Sequence, residues 1–168
     1  EASSPYGISR IQSVYTARYY ATLGIKTYVG YLFNHESSYR NIDCVSQKVI
    51  QAVLRIKNGS FEKIEIGDMS VEREWGFAGD IARGILDLVN QDKVSEAVIG
   101  TGKGYTIEEW LKVCFNLVNK DWKQYIIETP NFIGQYKRLV SNPEKIKSLG
   151  WEPLVDIDEL ANKMLMAN

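Results

Sequence analysis

An α/β fold is predicted by the way short, β-branched apolar segments alternate with helical ones along the chain. The clearest strand is Lys26 to Phe33 (KTYVGYLF), aromatic and β-branched, bounded by Gly24 and Asn34. A second, Ala97 to Gly100, lies between two helical stretches. The clearest helix start is Thr106 with Glu109 three residues later, the spacing of a capping box.

The remaining elements follow in order. Apolar residues from Tyr6 to Leu23 recur at three- and four-residue steps, with Pro5 suited to a first helical turn and Gly24 to its end. Lys26 to Phe33 is expected to be a buried strand, and Asn34 to Asn41 a polar loop. Val45, Val49, Ala52, Val53 and Ile56 form the stripe of a second helix, stopped by Asn58-Gly59. Phe61, Ile64 and Ile66 mark a short strand ending at Gly67, and Arg73 to Phe77 a short extended stretch. A helix begins at Asp80, with Ile81, Ile85, Leu88 and Val89 on one face. The helix opened by Thr106 carries Trp110, Val113, Cys114 and Leu117. Tyr125 to Ile127 reads as a weak strand. Asn142-Pro143 starts a short helix with Ile146 and Leu149, ended by Gly150, and Ile157 to Met166 is the last helix. Residues 1–168 form one unit without an internal linker.

Composition narrows the function classes. The 168 residues carry 20 basic and 21 acidic side chains, a balance unlike that of a bulk-electrostatic nucleic-acid binder. No run of ~18 apolar residues suggests a membrane span, and no leader pattern suggests secretion. Two cysteines, Cys44 and Cys114, fit reduced buried thiols in the cytoplasm, and with one histidine they make no standard zinc site, so no metal is expected. The chain opens at Glu1 and runs at once into a helical pattern, so it is expected to be cut from something longer. No G-x-G-x-x-G or Walker lysine motif occurs, and Gly102-Lys103-Gly104 reads as a turn.

Several residues are suited to chemistry. Tyr6 lies four residues before Arg10, one turn apart on one helical face, where a cation favours the tyrosinate. On spacing alone, a core aromatic beside a surface arginine is the better description. His35-Glu36 follows a strand at its carboxyl end, where open α/β sheets place ligands. Arg73 offers a planar fork for a phosphate, or a surface ion pair. Lys48, on a helix, and Lys137 and Arg138, beside Tyr136, are cations that solvent also accommodates. Tyr15, Tyr19, Tyr20 and Trp110 are expected to pack.

The order of the motifs is more specific than any one of them. Ser4-Pro5-Tyr6-Gly7, Leu32-Phe33-Asn34-His35-Glu36-Ser37, Arg73-Glu74-Trp75-Gly76, Thr101-Gly102 and Leu149-Gly150-Trp151-Glu152-Pro153 together resemble the extended short-chain dehydrogenase/reductases that act on nucleotide sugars. The L-F-N-H-E-S segment is most similar to the GDP-mannose 4,6-dehydratases. The resemblance implies the C-terminal portion of a Rossmann-like enzyme with its small sugar-nucleotide-binding domain, the N-terminal dinucleotide-binding half lying outside the chain. It implies an active-site tyrosine at Tyr6 and a companion cation at Arg10. Asn34, His35, Glu36 and Arg40 fall at cofactor positions. Asn34, Val45, Lys48, Arg73 and Arg138 fall at substrate positions.

Implied with these are NADP, or alternatively NAD, a GDP-sugar substrate and a homo-oligomer. The implied reaction oxidises C4, eliminates water across C5 and C6 and returns the hydride to C6. This chain alone is expected to be inactive. Alternatives are an epimerase, a 4-keto-sugar reductase, or a non-catalytic binding or assembly module. Two departures stand out. Arg10 replaces the family's lysine, with a different donor geometry. Phe132-Ile133-Gly134-Gln135 replaces an R-P-x-E segment, leaving Lys137 and Arg138 as the nearby cations.

Overall fold

The structure is a computed structural model that describes residues 4–129 and 136–167. Helix α1 (Pro5–Thr22) is capped by the Ser4 hydroxyl, which accepts the Gly7 N–H at 3.1 Å. It ends at Gly24, whose φ of +83° only glycine adopts without strain. No residue of α1 is buried. Tyr15, Tyr19 and Tyr20, expected to pack, are exposed, because among the described residues little covers this helix. Among the described residues its tethers include an Arg18–Glu96 ion pair and a Thr27 hydroxyl donating to the Ala17 carbonyl at 3.0 Å.

Strand β1 (Val29–Leu32) is shorter than the eight residues expected, and Gly30, Tyr31 and Leu32 are exposed rather than buried. Its one strand partner among the described residues runs parallel on one side, so part of its surface is uncovered. The loop expected at Asn34–Asn41 contains strand β2 (His35–Glu36). Helix α2 (Val45–Lys57) and strand β3 (Ile64–Ile66) lie where expected, although Phe61 is 87% exposed. The stretch from Arg73 to Phe77 divides into β4 (Glu72–Arg73) and β5 (Gly76–Phe77), with Trp75 turned into the core between them.

Helix α3 (Ala78–Val89) buries Asp80, Ile81, Gly84 and Leu88; Ile85 and Val89, expected on the same face, are exposed. Strand β6 (Glu96–Ile99) pairs in parallel with β1, Val29 opposite Glu96 and Leu32 opposite Ile99. Strand β7 (Tyr105–Thr106), which the sequence pattern did not announce, leads into α4 (Ile107–Asn116). The capping box is formed, Thr106 Oγ1 accepting the Glu109 N–H and the Glu109 carboxylate accepting the Thr106 N–H. Helix α4 buries Trp110, Leu111, Cys114 and Phe115, while Leu117 faces solvent. After β8 (Ile126–Glu128) and β9 (Arg138–Leu139), α5 (Glu144–Lys147) and α6 (Ile157–Met166) complete the chain.

The strands form small sheets: β1–β6, β2–β5 and β3–β8, all parallel, and β7–β4–β9 with β4 central. Two apolar cores result. The smaller packs α3 and α5 on β6, with Ile81, Leu88, Ile99, Ile146 and Trp151 sealed from water. Asp80 anchors its edge: Oδ2 accepts the Leu154 and Val155 N–H groups at 2.8 and 2.9 Å, and its carbonyl accepts the Trp151 indole N–H at 3.0 Å. The larger packs α2, α4 and α6 around β3, with Trp75 stacked on Trp110 at 4.8 Å between ring centroids. Among the described residues no helix is long and apolar enough to cross a membrane, and no cluster of side chains suits a metal ion.

Candidate functional site

A cavity of about 610 Å³ opens beside the larger core, whose Val45, Ile66, Trp75 and Ile107 line it. Asn34 enters it from the end of β1, Val45 and Lys48 from the start of α2, and Arg73 and Trp75 from β4 and the turn beyond it. Five residues expected from the sequence therefore share one cavity: Asn34, Glu36, Val45, Lys48 and Arg73.

The cations are held by backbone oxygens. Lys48 Nζ donates to the Glu65 carbonyl at 2.8 Å, and Arg73 donates to the carbonyls of Glu72 and Tyr136. Helix α2 begins at the wall with no side-chain cap from Cys44, so its first-turn amides add positive potential there. These donors suit a phosphate, although the carboxylates of Glu36, Asp43, Glu65, Asp68 and Glu74 also line the cavity.

Glu36 is buried beside it. Its Oε2 accepts from Ser46 Oγ at 2.6 Å and lies 3.3 Å from Arg40 Nε. Burial pushes this carboxyl above the ordinary glutamate range, against the opposing pull of Ser46, Arg40 and His35. Arg40 thus acts on the cavity through Glu36.

The other expected residues lie elsewhere. Tyr6 and Arg10 do share a helical face, but the Arg10 guanidinium sits 4.9 Å from the Tyr6 ring centroid, over the ring. Tyr6 is 69% exposed, and neither residue reaches the cavity. His35 turns away, its Nδ1 2.8 Å from the Phe33 carbonyl. Arg138 pairs with Glu72 at 2.9 Å instead of facing the cavity, because β9 lies in register with β4. The Phe132–Gln135 segment lies outside the described residues. Gly102, at φ +73°, makes a turn as expected.

Glu65 and Asp68 line the cavity without having been singled out, and Glu74 and Trp75, quoted only as part of the R-E-W-G motif, line it too. Their positions depend on pairings between strands distant in sequence, which local pattern does not carry. Ser70 holds Asp68 below the usual carboxylate range through hydrogen bonds from its hydroxyl and its N–H.

The described residues do not enclose a nicotinamide dinucleotide: Tyr6 and Arg10 stand on an uncovered helix, apart from the cavity. No hydride step is therefore assigned to this chain's own residues.

The fold is that of the Rossmann-like short-chain dehydrogenase/reductases. RMD from Pseudomonas aeruginosa, complexed with NADPH, superposes with a TM-score of 0.90 at 18% identity, over 99% of this chain and 56% of that one. The dTDP-glucose 4,6-dehydratase of Bacillus anthracis, complexed with NAD, gives 0.84 at 22% identity, over 99% and 52%. A family model for GDP-mannose 4,6 dehydratase matches residues 1–164, and the chain belongs to that family. GDP-mannose 4,6 dehydratase 2 of Arabidopsis thaliana is 34% identical over 166 residues, 96% of this chain and 44% of that protein. The human GDP-mannose 4,6 dehydratase is 25% identical over 98% of this chain and 50% of its own length. The chain spans about half the length of the curated relatives it matches.

Proposed function

We propose that the cavity is the sugar-nucleotide half-site of a nucleotide-sugar 4,6-dehydratase, and that its ligand is a GDP-sugar such as GDP-mannose. One observation carries the reading. Lys48, Arg73 and the uncapped start of α2 converge on a cavity that Asn34 also lines. Two cations and helix amides supply charge for a diphosphate, while Asn34 offers both a donor and an acceptor to sugar hydroxyls. In the intact enzyme the reaction would be oxidation at C4, elimination across C5 and C6 and hydride return to C6, with NADP as cofactor. Tyr6 and Arg10 would contribute one edge of the cofactor site, and the enzyme would be a homo-oligomer in the cytoplasm. The free thiols of Cys114, buried as expected, and of Cys44, only half-buried, accord with that compartment.

A second reading is a binding or assembly module. It is favoured by Arg10, whose cation lies over the Tyr6 ring face.

Calorimetric titration of the 168-residue chain with GDP, GDP-mannose, UDP and dTDP tests the proposal. Selective binding of the guanine ligands, with Kd near 1 mM or tighter (about −4 kcal/mol), is the expected result. Equal binding of all three diphosphates would overturn the choice of base, and no binding would overturn the half-site. Incubation with GDP-mannose and NADP is expected to give no 4-keto product from this chain alone.

A further inference from the structure

Glu74 is a buried carboxylate, only 1% exposed, that lines the cavity between Arg73 and Trp75. Its Oε2 accepts the Thr101 N–H at 2.5 Å and the Thr101 hydroxyl at 3.1 Å. Its Oε1 accepts the Ser141 N–H. One side chain thus joins the β4–β5 turn, the loop after β6 and the segment after β9. The approach requires Gly100: a Cβ there would lie 2.6 Å from Glu74 Oε2 and 2.5 Å from Ser141 Oγ.

The flanking residues are held from their far ends. Arg73 is tied to the Tyr136 carbonyl, and Trp75 donates its indole N–H to the Tyr105 carbonyl at 3.1 Å. Between them Glu74 ties the backbone to the loop after β6 and to the segment after β9. A carboxylate accepts at both oxygens, whereas an amide must turn an NH₂ toward one of the two backbone N–H groups. Both amides are part-buried, so neither readily turns to water.

We propose that Glu74 is a positioning residue: by holding the Thr101 and Ser141 amides it aims Arg73 and Trp75 into the cavity wall and so sets ligand affinity there. The affinity part rests on the sugar-nucleotide reading above; the positioning part does not.

The experiment compares Glu74→Gln, Gly100→Ala and, as a control, Ile146→Val in the smaller core. Ile146 lies outside the cavity lining, and its truncation lowers stability without touching this anchor. Two quantities are read on the folded chain: GDP-mannose affinity, and the NMR resonances of the Thr101 and Ser141 amides, the Trp75 indole N–H and the Arg73 guanidinium. Glu74→Gln and Gly100→Ala are expected to weaken binding about tenfold or more, with all four resonances moved. Ile146→Val is expected to lower the melting temperature with affinity and resonances unchanged. If affinity falls in step with melting temperature across all three variants, Glu74 is only structural and the proposal is overturned. If the wild-type chain binds no GDP-sugar, the half-site reading fails. Moved Arg73 and Trp75 resonances in Glu74→Gln then still support the positioning role, and unmoved ones overturn it.

Discussion

Arg18 grips Glu96 through two nitrogens, Nε to Oε1 at 2.7 Å and Nη2 to Oε2 at 2.8 Å, while the Tyr31 hydroxyl donates to the same carboxylate at 3.0 Å. The Arg18 hydrogen bond brings the Glu96 carboxyl down from an ordinary 4.5 to about 2, with slight burial opposing and Tyr31 assisting. The folded chain therefore keeps this charge at lower pH than the unfolded chain does. Its contribution is complete above about pH 4.5 and is lost as pH falls through about 2. Amide exchange in α1, relative to β6, is expected to rise across that window. Arg18→Ala should show the raised exchange already at neutral pH, with no further step.

Asp80→Ala should be among the most damaging single changes. It strips the acceptor from the Leu154 and Val155 N–H groups, and from Arg83, at the edge of the smaller core. A loss of about 3 kcal/mol is expected, read by urea denaturation with an unchanged slope. Asp80→Asn, which keeps one acceptor oxygen, should lose less.

Gly84→Ala tests close packing inside a helix. A Cβ there would meet Ile99 Cγ2 at 2.9 Å and the Trp151 indole at 3.0 Å, both sealed in the smaller core. The helix gains about 1 kcal/mol from alanine, but overpacking a filled core costs about 1–3 kcal/mol. Net destabilisation is expected, measured as a lower melting temperature. A higher one would mean that α3 can shift off β6.

Arg73→Lys distinguishes a fork from a charge. Arginine at this position donates to two carbonyls while lining the cavity, and a lysine ammonium cannot span the same geometry. GDP-mannose binding is expected to weaken about tenfold (about 1.4 kcal/mol), whereas Arg138→Lys, at a residue paired with Glu72 outside the cavity, should leave it unchanged. Calorimetry on the two variants decides.

Legibility in the sequence followed the range of the interaction. Helices α2 and α6 and the Thr106 box are local: stripe, cap and stop signal lie within a few residues, and their bounds were readable. The two-residue strands were not, since β2 exists only because β5 lies beside it. The stripe of α3 misled at Ile85 and Val89, because its packed face is set by Gly84 against Trp151 rather than by the largest side chains. At the cavity, the short motifs N-H-E-S and R-E-W pointed to Asn34, Glu36 and Arg73. Glu74 as an anchor was hidden, since Thr101 and Ser141 are 27 and 67 residues away.

Those separations bear on how the chain reaches its fold. The parallel pairs β1–β6, β2–β5 and β3–β8, and the Glu74–Ser141 contact, each close a long loop before any return in contacts. Local helices can flicker within about a microsecond, but pairings of this range set a pace on the order of milliseconds to seconds. During that interval the strand edges of β1 and β3 are bare, and neighbouring chains compete for them. Dilute refolding therefore favours this topology, and crowded refolding favours aggregation.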